Sequence, residues 1–257
     1  MTMSSSPVQV VSFYLFVNLT NLEQLQADLE QLCRSHQLLG TVLLAPEGIN
    51  GAIAGLPGSI QSLQAFWADR FSQLTYKTSW VEQPPFHKLK IKIKPEIISL
   101  GIPNLDPSQV SGVRVAASDW NQLLQDPEVI VIDTRNEYEI ELGSFVNAIN
   151  PGIDSFREFP QYVQQNLDPR RDRKIAMFCT GGIRCEKASA LMLELGFAQV
   201  YQLEGGILQY LEQVEPAHSL WQGECFVFDH RVSVDHHLSE GSYKLGKGEI
   251  LPKQTDI

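Results

Sequence analysis

Two short apolar runs constrain the fold of this chain more than any other feature: Val129-Ile130-Val131-Ile132 and Ile175-Ala176-Met177-Phe178. Neither shows the apolar/polar alternation of a strand with one wet face, so each reads as a parallel strand covered on both sides. Parallel neighbours need crossover connections, and helical patterns supply them. Ser118 is placed to cap a short helix through Leu124, and Phe156 to Leu167 has a helical pattern. Ala188, Leu191, Met192 and Leu195 stripe a helix ending at Gly196, and Val200 to Leu203 adds a strand. The second half of the chain is therefore predicted to be an α/β domain with a mostly parallel sheet.

The first hundred residues have a different rhythm. Val8 to Leu19 is rich in β-branched and aromatic residues, and Asn21 is placed to cap a helix carrying Leu22, Leu25, Leu29 and Leu32. Thr41 to Ala45 reads as a strand, Pro46 to Gly51 as a turn, and Ala52 to Ala54 as the next strand. Ser59 to Phe71 puts Leu63, Phe66 and Trp67 on one helical face before Tyr76 to Val81 returns as a strand. The order βαββαβ predicts a ferredoxin-like α+β sandwich. Gly101, Pro103, Pro107 and Gly112 mark 101–112 as a linker, which divides the chain into domains at 1–100 and 113–215 and an irregular tail at 216–257. A length of 257 residues suits two modest domains.

Composition bears on partners and compartment. With 43% hydrophobic and 19% charged residues the chain is neither disordered nor fibrous. No apolar run reaches the length of a membrane helix, and Val8 to Leu19 lacks the flanks of a secretory leader, so no membrane association is expected. The four cysteines, Cys33, Cys179, Cys185 and Cys225, are too scattered for a disulfide framework and have no Cys-x-x-Cys spacing, which points to a reducing cytoplasm. His230, His236 and His237 read as surface residues, and no metal site is expected. A formal charge of −10 argues against nonspecific nucleic-acid binding by the whole surface, so a polyanion has to be met by a local patch.

One such patch is visible. Lys88, Lys90, Lys92 and Lys94 alternate with Leu89, Ile91 and Ile93, which on a strand sends four ammonium groups to one face and three apolar side chains to the other. Two readings fit: an edge strand guarded by lysines against aggregation, or a stripe that follows an RNA backbone. Arg170, Arg171, Arg173 and Lys174 would extend it, though Asp168 and Asp172 dilute them.

The segment richest in chemistry is Phe178-Cys179-Thr180-Gly181-Gly182-Ile183-Arg184-Cys185. It joins a predicted parallel strand to a helix, so Cys179 falls at the carboxyl end of the sheet, where open α/β folds bind ligands. Thr180 to Ile183 can curl so that successive N–H groups and the helix N-terminus point inward, making an anion cradle. Arg184 adds a positive charge and a planar fork able to span loop carbonyls and a bound anion. This environment favours a thiolate, or the persulfide anion formed when the thiolate takes on sulfur. Cys179 is the candidate nucleophile; the bland alternative is a small buried hydrophobe, which is the reading given to Cys185 and Cys225.

Cysteine followed by four residues and arginine resembles the rhodanese active site. Cysteine-dependent phosphatases place five residues in that interval, and the tighter loop suits a terminal sulfur better than a phosphate. Asp133-Thr134-Arg135, Glu137, Gly143 and Leu203-Glu204-Gly205-Gly206 also resemble rhodanese landmarks, with Asp133 and Arg135 read as supporting residues that pair at a strand end.

Further matches are wider. Leu44-Ala45-Pro46-Glu47-Gly48-Ile49-Asn50-Gly51, Ile53-Ala54-Gly55, Met177 to Ser189, Gly205-Gly206-Ile207-Leu208 and Trp221 to Asp229 resemble the tRNA uridine(34) hydroxylase family. The resemblance implies oxygen-dependent conversion of the wobble uridine to 5-hydroxyuridine, tRNA as partner, dioxygen as co-substrate and Cys179 at the position of the family's persulfide-bearing cysteine. No organic cofactor is recognisable, and a sulfur donor is an expected partner. The alternatives are a plain sulfurtransferase working through a Cys179 persulfide and a noncatalytic anion-binding module. The chain departs from the family after Tyr243, where Lys244-Leu245-Gly246-Lys247-Gly248-Glu249 replaces the cysteine-rich segment many members carry.

Overall fold

The computed structural model describes residues 7–246 and 249–253; Lys247 and Gly248 lie outside the described residues. The chain divides into two compact units, Met1–Ile98 and Ser99–Ile257.

The first unit is built from β1 (Val8–Phe16), α1 (Leu22–Ser35), β2 (Leu39–Ala45), β3 (Gly48–Gly55), α2 (Pro57–Ala68), β4 (Lys77–Val81) and β5 (Leu89–Ile93). Its sheet has the order β4-β1-β3-β2-β5, antiparallel throughout except that β5 runs parallel to β2. The first four strands are the expected ferredoxin-like set, and the lysine strand β5 extends it at one edge. Alternate residues of β1 and β2, Val11, Phe13, Val42 and Leu44, face the helices and pack with Leu29 and Cys33 of α1 and Leu63 and Trp67 of α2. Each of the larger apolar side chains, fully buried, contributes about 1.5–3 kcal/mol.

Two local expectations change. The reversal between β2 and β3 takes only Pro46 and Glu47, so Gly48 to Gly51 belong to the strand, where central pairing overrides the poor β-propensity of Gly48, Asn50 and Gly51. Asn21 does sit at the start of α1, but in the left-handed conformation (φ 56°) and without a side-chain capping bond.

The second unit contains β6 (Val113–Val115), α3 (Ala117–Leu124), β7 (Val129–Asp133), α4 (Glu137–Ile140), β8 (Gly143–Phe145), a 3₁₀ turn at Phe156–Glu158 leading into α5 (Phe159–Asn166), β9 (Lys174–Phe178), α6 (Ile183–Glu194), β10 (Gln199–Leu203) and α7 (Gly206–Gln213). The sheet order is β6-β10-β9-β7, and every pair is parallel. Ser118 is not the cap of α3: the helix begins at Ala117, and Ala116 occupies the cap position without a side-chain bond.

The segment after residue 215 is more regular than its sequence predicts. Short strands β11 (Trp221–Gly223), β12 (Cys225–Phe226), β13 (Ser233–Val234), β14 (Tyr243–Gly246) and β15 (Glu249–Pro252) pair as β11 with β8, β12 with β13 and β14 with β15. The first of these pairings brings Trp221 onto Phe145, whose ring also meets Phe178 and Tyr210 edge-on, at centroid distances of 5.3, 4.8 and 4.7 Å. This aromatic core lies directly beneath the carboxyl end of β9, where the cysteine loop starts.

Candidate active site

Cys179 follows the last residue of β9 and is only 1% exposed. Gly182 ends the loop in the left-handed region (φ 99°), a conformation that glycine adopts without strain, and α6 starts at Ile183. The curl directs the Gly182 N–H at the Cys179 sulfur, 3.1 Å away, and the amides of Arg184 and Cys185 also reach it. Loop carbonyls point the other way. The first turn of α7 takes them up, Ile207 N–H donating to the Cys179 carbonyl at 3.0 Å and Leu208 N–H to that of Thr180 at 3.1 Å. Gly206 (φ 67°) makes this possible: a Cβ there would collide with the Cys179 carbonyl oxygen and come within 2.7 Å of the Thr180 oxygen and 2.8 Å of the Gly182 nitrogen. Amides face the sulfur and carbonyls face away, so the loop presents a positive lining to an anion.

The sulfur's protonation follows from that lining. Burial pushes the Cys179 thiol up, but a hydrogen bond from the Cys185 thiol, the charge of Arg184 and the loop amides outweigh it and bring the pKa down to about 6. Cys185 goes the other way, raised well above the usual thiol value by burial and by the Cys179 charge. It stays protonated, and its sulfur also lies 3.7 Å from the Thr134 hydroxyl. That hydroxyl donates to the Phe178 carbonyl at 3.0 Å. Cys33 and Cys225, by contrast, are buried in the two cores and pushed up to about 12.

Arg184 does not span the loop carbonyls. Its fork is taken by Glu139 of α4 through two bonds, 2.6 and 2.7 Å, with Arg184 5% exposed and Glu139 fully buried. Thr180 Oγ1 leans on the same carboxylate at 3.4 Å. Sequence reasoning missed Glu139. Its one local signal was the Asn136-x-x-Glu139 spacing of a capping box, and the Glu139 carboxylate does accept the Asn136 N–H at 3.2 Å.

Asp133 and Arg135 are brought together beside this pair. Arg135 Nε and Nη2 donate to the two Asp133 oxygens at 2.9 and 2.7 Å, and the guanidinium also donates to the carbonyls of Glu139 and Gly143 at 3.2 and 2.6 Å. With Ser144 Oγ on Asp133 at 2.8 Å, this buried group fixes α4 and so the position of Glu139. Neither side chain touches Cys179; both support it at one remove.

The lysines belong to the first unit. Lys88, Lys90, Lys92 and Lys94 are all exposed on or beside β5, while Ile91 packs into the core with Leu89 and Ile93 against it. Among the described residues none of the four forms an ion pair. The second basic cluster is different: Arg170 pairs with Asp168, Arg171 with Asp172, and Lys174 with both Asp126 and Glu128. Local carboxylates thus compensate Arg170, Arg171 and Lys174. His230 and His237 are exposed and His236 is half-buried, and among the described residues no group of three or more His, Cys, Asp or Glu is placed to hold a metal ion.

Comparison with known proteins matches each unit to a domain family. Residues 8–97 match the family model described as the UPF0176 acylphosphatase-like domain, and residues 116–213 match the rhodanese-like domain. Among solved structures, the rhodanese-like domain of an Anabaena protein aligns with 20% identity and a TM-score of 0.35, covering 43% of this chain and 78% of that one. A rhodanese-related protein from Thermoplasma volcanium aligns with 25% identity and a TM-score of 0.32, covering 40% of this chain and 95% of that one. A curated relative from Teredinibacter turnerae, the tRNA uridine(34) hydroxylase of that organism, is 52% identical over 250 residues, which is 96% of this chain and 78% of the relative. An identity that high across both units shows that the chain belongs to the tRNA uridine(34) hydroxylase family.

Proposed function

We propose that this protein hydroxylates the wobble uridine of tRNA, converting it to 5-hydroxyuridine with dioxygen as co-substrate, and that Cys179 supplies the sulfur anion of the active site. The observation that carries this reading is the extent of the family match, which runs through the first unit as well as the rhodanese-like one. Sulfur transfer between small thiols would engage the cysteine loop alone and leave the first unit without a task.

In this reading the residues divide as follows. The amides of Gly182, Arg184 and Cys185 hold the charge on Cys179, as thiolate or as persulfide once a sulfur donor has loaded it. Glu139, anchored through the Asp133 and Arg135 group, keeps Arg184 against the loop. Lys88, Lys90, Lys92 and Lys94 meet RNA phosphates, which explains how a chain of net charge −10 holds a polyanion. Among the described residues no helix is long and apolar enough to cross a membrane, and a tRNA substrate assigns the work to the cytoplasm.

The test is mass spectrometry of wobble nucleosides from cells lacking the protein and from cells complemented with it. Restoration of 5-hydroxyuridine by the wild type but not by Cys179→Ser is the expected result. Unchanged 5-hydroxyuridine in the deletion, with a loss of thiolated products in its place, would favour the sulfurtransferase.

A further inference from the structure

Beside the cysteine loop stands an aromatic cluster that rhodanese chemistry does not use. Phe228 is 65% exposed, its ring edge-to-face on Phe226 at 5.0 Å, and Phe226 meets Tyr138 in the same way at 5.3 Å. Single exposed apolar residues need no explanation, but these rings are joined and rigidly mounted. Phe228 is the second residue of the loop between β12 and β13, and that loop is clamped by hydrogen bonds. Val227 N–H donates to the Val232 carbonyl at 2.9 Å, Val232 N–H to the Asp229 carbonyl at 3.1 Å, and the Arg231 guanidinium forks onto the Asp229 carboxylate at 2.9 and 2.6 Å. The ring is thus held in water by a fixed support.

Its position is equally specific. The Arg184 guanidinium carbon lies 6.0 Å from the centre of the Phe228 ring, and Tyr138 adjoins Glu139, which holds Arg184. The exposed ring is therefore one side chain away from the lining of the Cys179 cradle.

We infer that Phe228, backed by Phe226 and Tyr138, is a stacking platform for one unpaired pyrimidine base of the RNA, the base delivered to Cys179. The inference rests on the proposed tRNA substrate and deepens it. An unpaired loop base is recognised by stacking on an aromatic side chain, and a base drawn out of its own stack needs a replacement neighbour at the reacting site. A protein partner fits less well, because three rings fall far short of the roughly 800 Å² per partner that a stable interface buries.

The experiment uses the full chain and an anticodon stem-loop RNA carrying pyrrolocytosine, a fluorescent pyrimidine, at the wobble position. Wild-type protein should bind it with quenched fluorescence. Phe228→Leu should bind on the order of tenfold more weakly without the quenching, and Phe228→Trp should restore both. An RNA with an abasic wobble site should cost the wild type the same factor and cost Phe228→Leu nothing further, since the stack is already gone. Unchanged affinity and quenching in Phe228→Leu would overturn the platform alone, as would a change in the sedimentation of the RNA-free variant with intact RNA binding, which marks a protein contact. A wild type that binds no RNA would overturn the platform together with the reading it rests on.

Discussion

Glu139 grips Arg184 with both carboxylate oxygens, and the pair is buried beneath the loop that carries Cys179. Burial pushes the Glu139 carboxyl up, but the Arg184 charge and its two hydrogen bonds outweigh this and hold it below the usual carboxylate value. A buried pair of this kind matters most when one half is removed, because the other is left as an uncompensated charge.

Glu139→Gln is therefore expected to destabilise the second unit by about 3–5 kcal/mol, read from urea unfolding. Arg184→Lys keeps a charge but lacks the planar fork that matches both oxygens, so it should lower both stability and modification well below wild type. Wild-type values in both variants would show that the pair is incidental.

The Cys179 thiol should titrate early. Because its pKa falls from 9.0 to about 6 in the folded protein, the folded state releases this proton sooner than the unfolded one. The resulting stabilisation is full above pH 9 and is lost as the pH drops through 6. Ultraviolet thiolate absorbance should show a step near pH 6 in the wild type and none in Cys179→Ser. The deeply buried Cys33 and Cys225 should stay silent until about pH 12. A first thiolate step only above pH 9 would contradict the cradle.

Cys185 and Cys179 should respond unlike one another. Cys179→Ser, which removes the proposed sulfur nucleophile, should abolish modification. Cys185→Ser keeps a hydroxyl that can donate to Cys179 and so leaves a substantial fraction, whereas Cys185→Ala removes the donor and should move the Cys179 step upward. Equal loss in folded Cys179→Ser and Cys185→Ser would defeat that assignment.

Why some of this is legible from sequence and some is not has a physical basis. β7 and β9 announce themselves because burial on both faces favours the unbroken apolar runs 129–132 and 175–178, and β5 because lysine and apolar side chains alternate with the strand's own period. Glu139 is silent for the opposite reason. Its partner Arg184 is 45 residues away, and no local periodicity records a pairing that only the folded loop creates. Strand pairs of two or three residues such as β12 and β13 carry too little pattern to detect, which is why the mounting of Phe228 could not be anticipated.

The lysine stripe has its own test. Changing Lys88, Lys90, Lys92 and Lys94 together to Gln should weaken tRNA binding and flatten its salt dependence by up to about 0.7 to 0.9 log-log units for each phosphate that is no longer neutralised. Ile91 and its apolar neighbours are untouched, so the melting temperature of the first unit should hold. Unchanged affinity and slope would return the stripe to the role of a guarded edge.

Gly206→Ala should disturb chemistry from outside the loop. Alanine at φ 67° is strained, and its methyl would press on the carbonyls of Cys179 and Thr180. The expected result is a loss of more than about 1 kcal/mol of stability with an upward shift of the Cys179 step. An unmoved step would show that the loop holds its shape without α7.

Concealment of the Cys179 sulfur sets a limit on reach. At 1% exposure its own sulfur is walled in, and a bulky pyrimidine cannot be brought against it without moving the loop. A second sulfur changes the distance. In a persulfide the outer atom stands about 2 Å beyond the first, far enough to bring a sulfur toward the mouth of the cradle while the inner atom stays gripped. The same enclosure that hides the thiolate then acts as a handle for an atom working outside it, and the size of what approaches is governed by that one bond length.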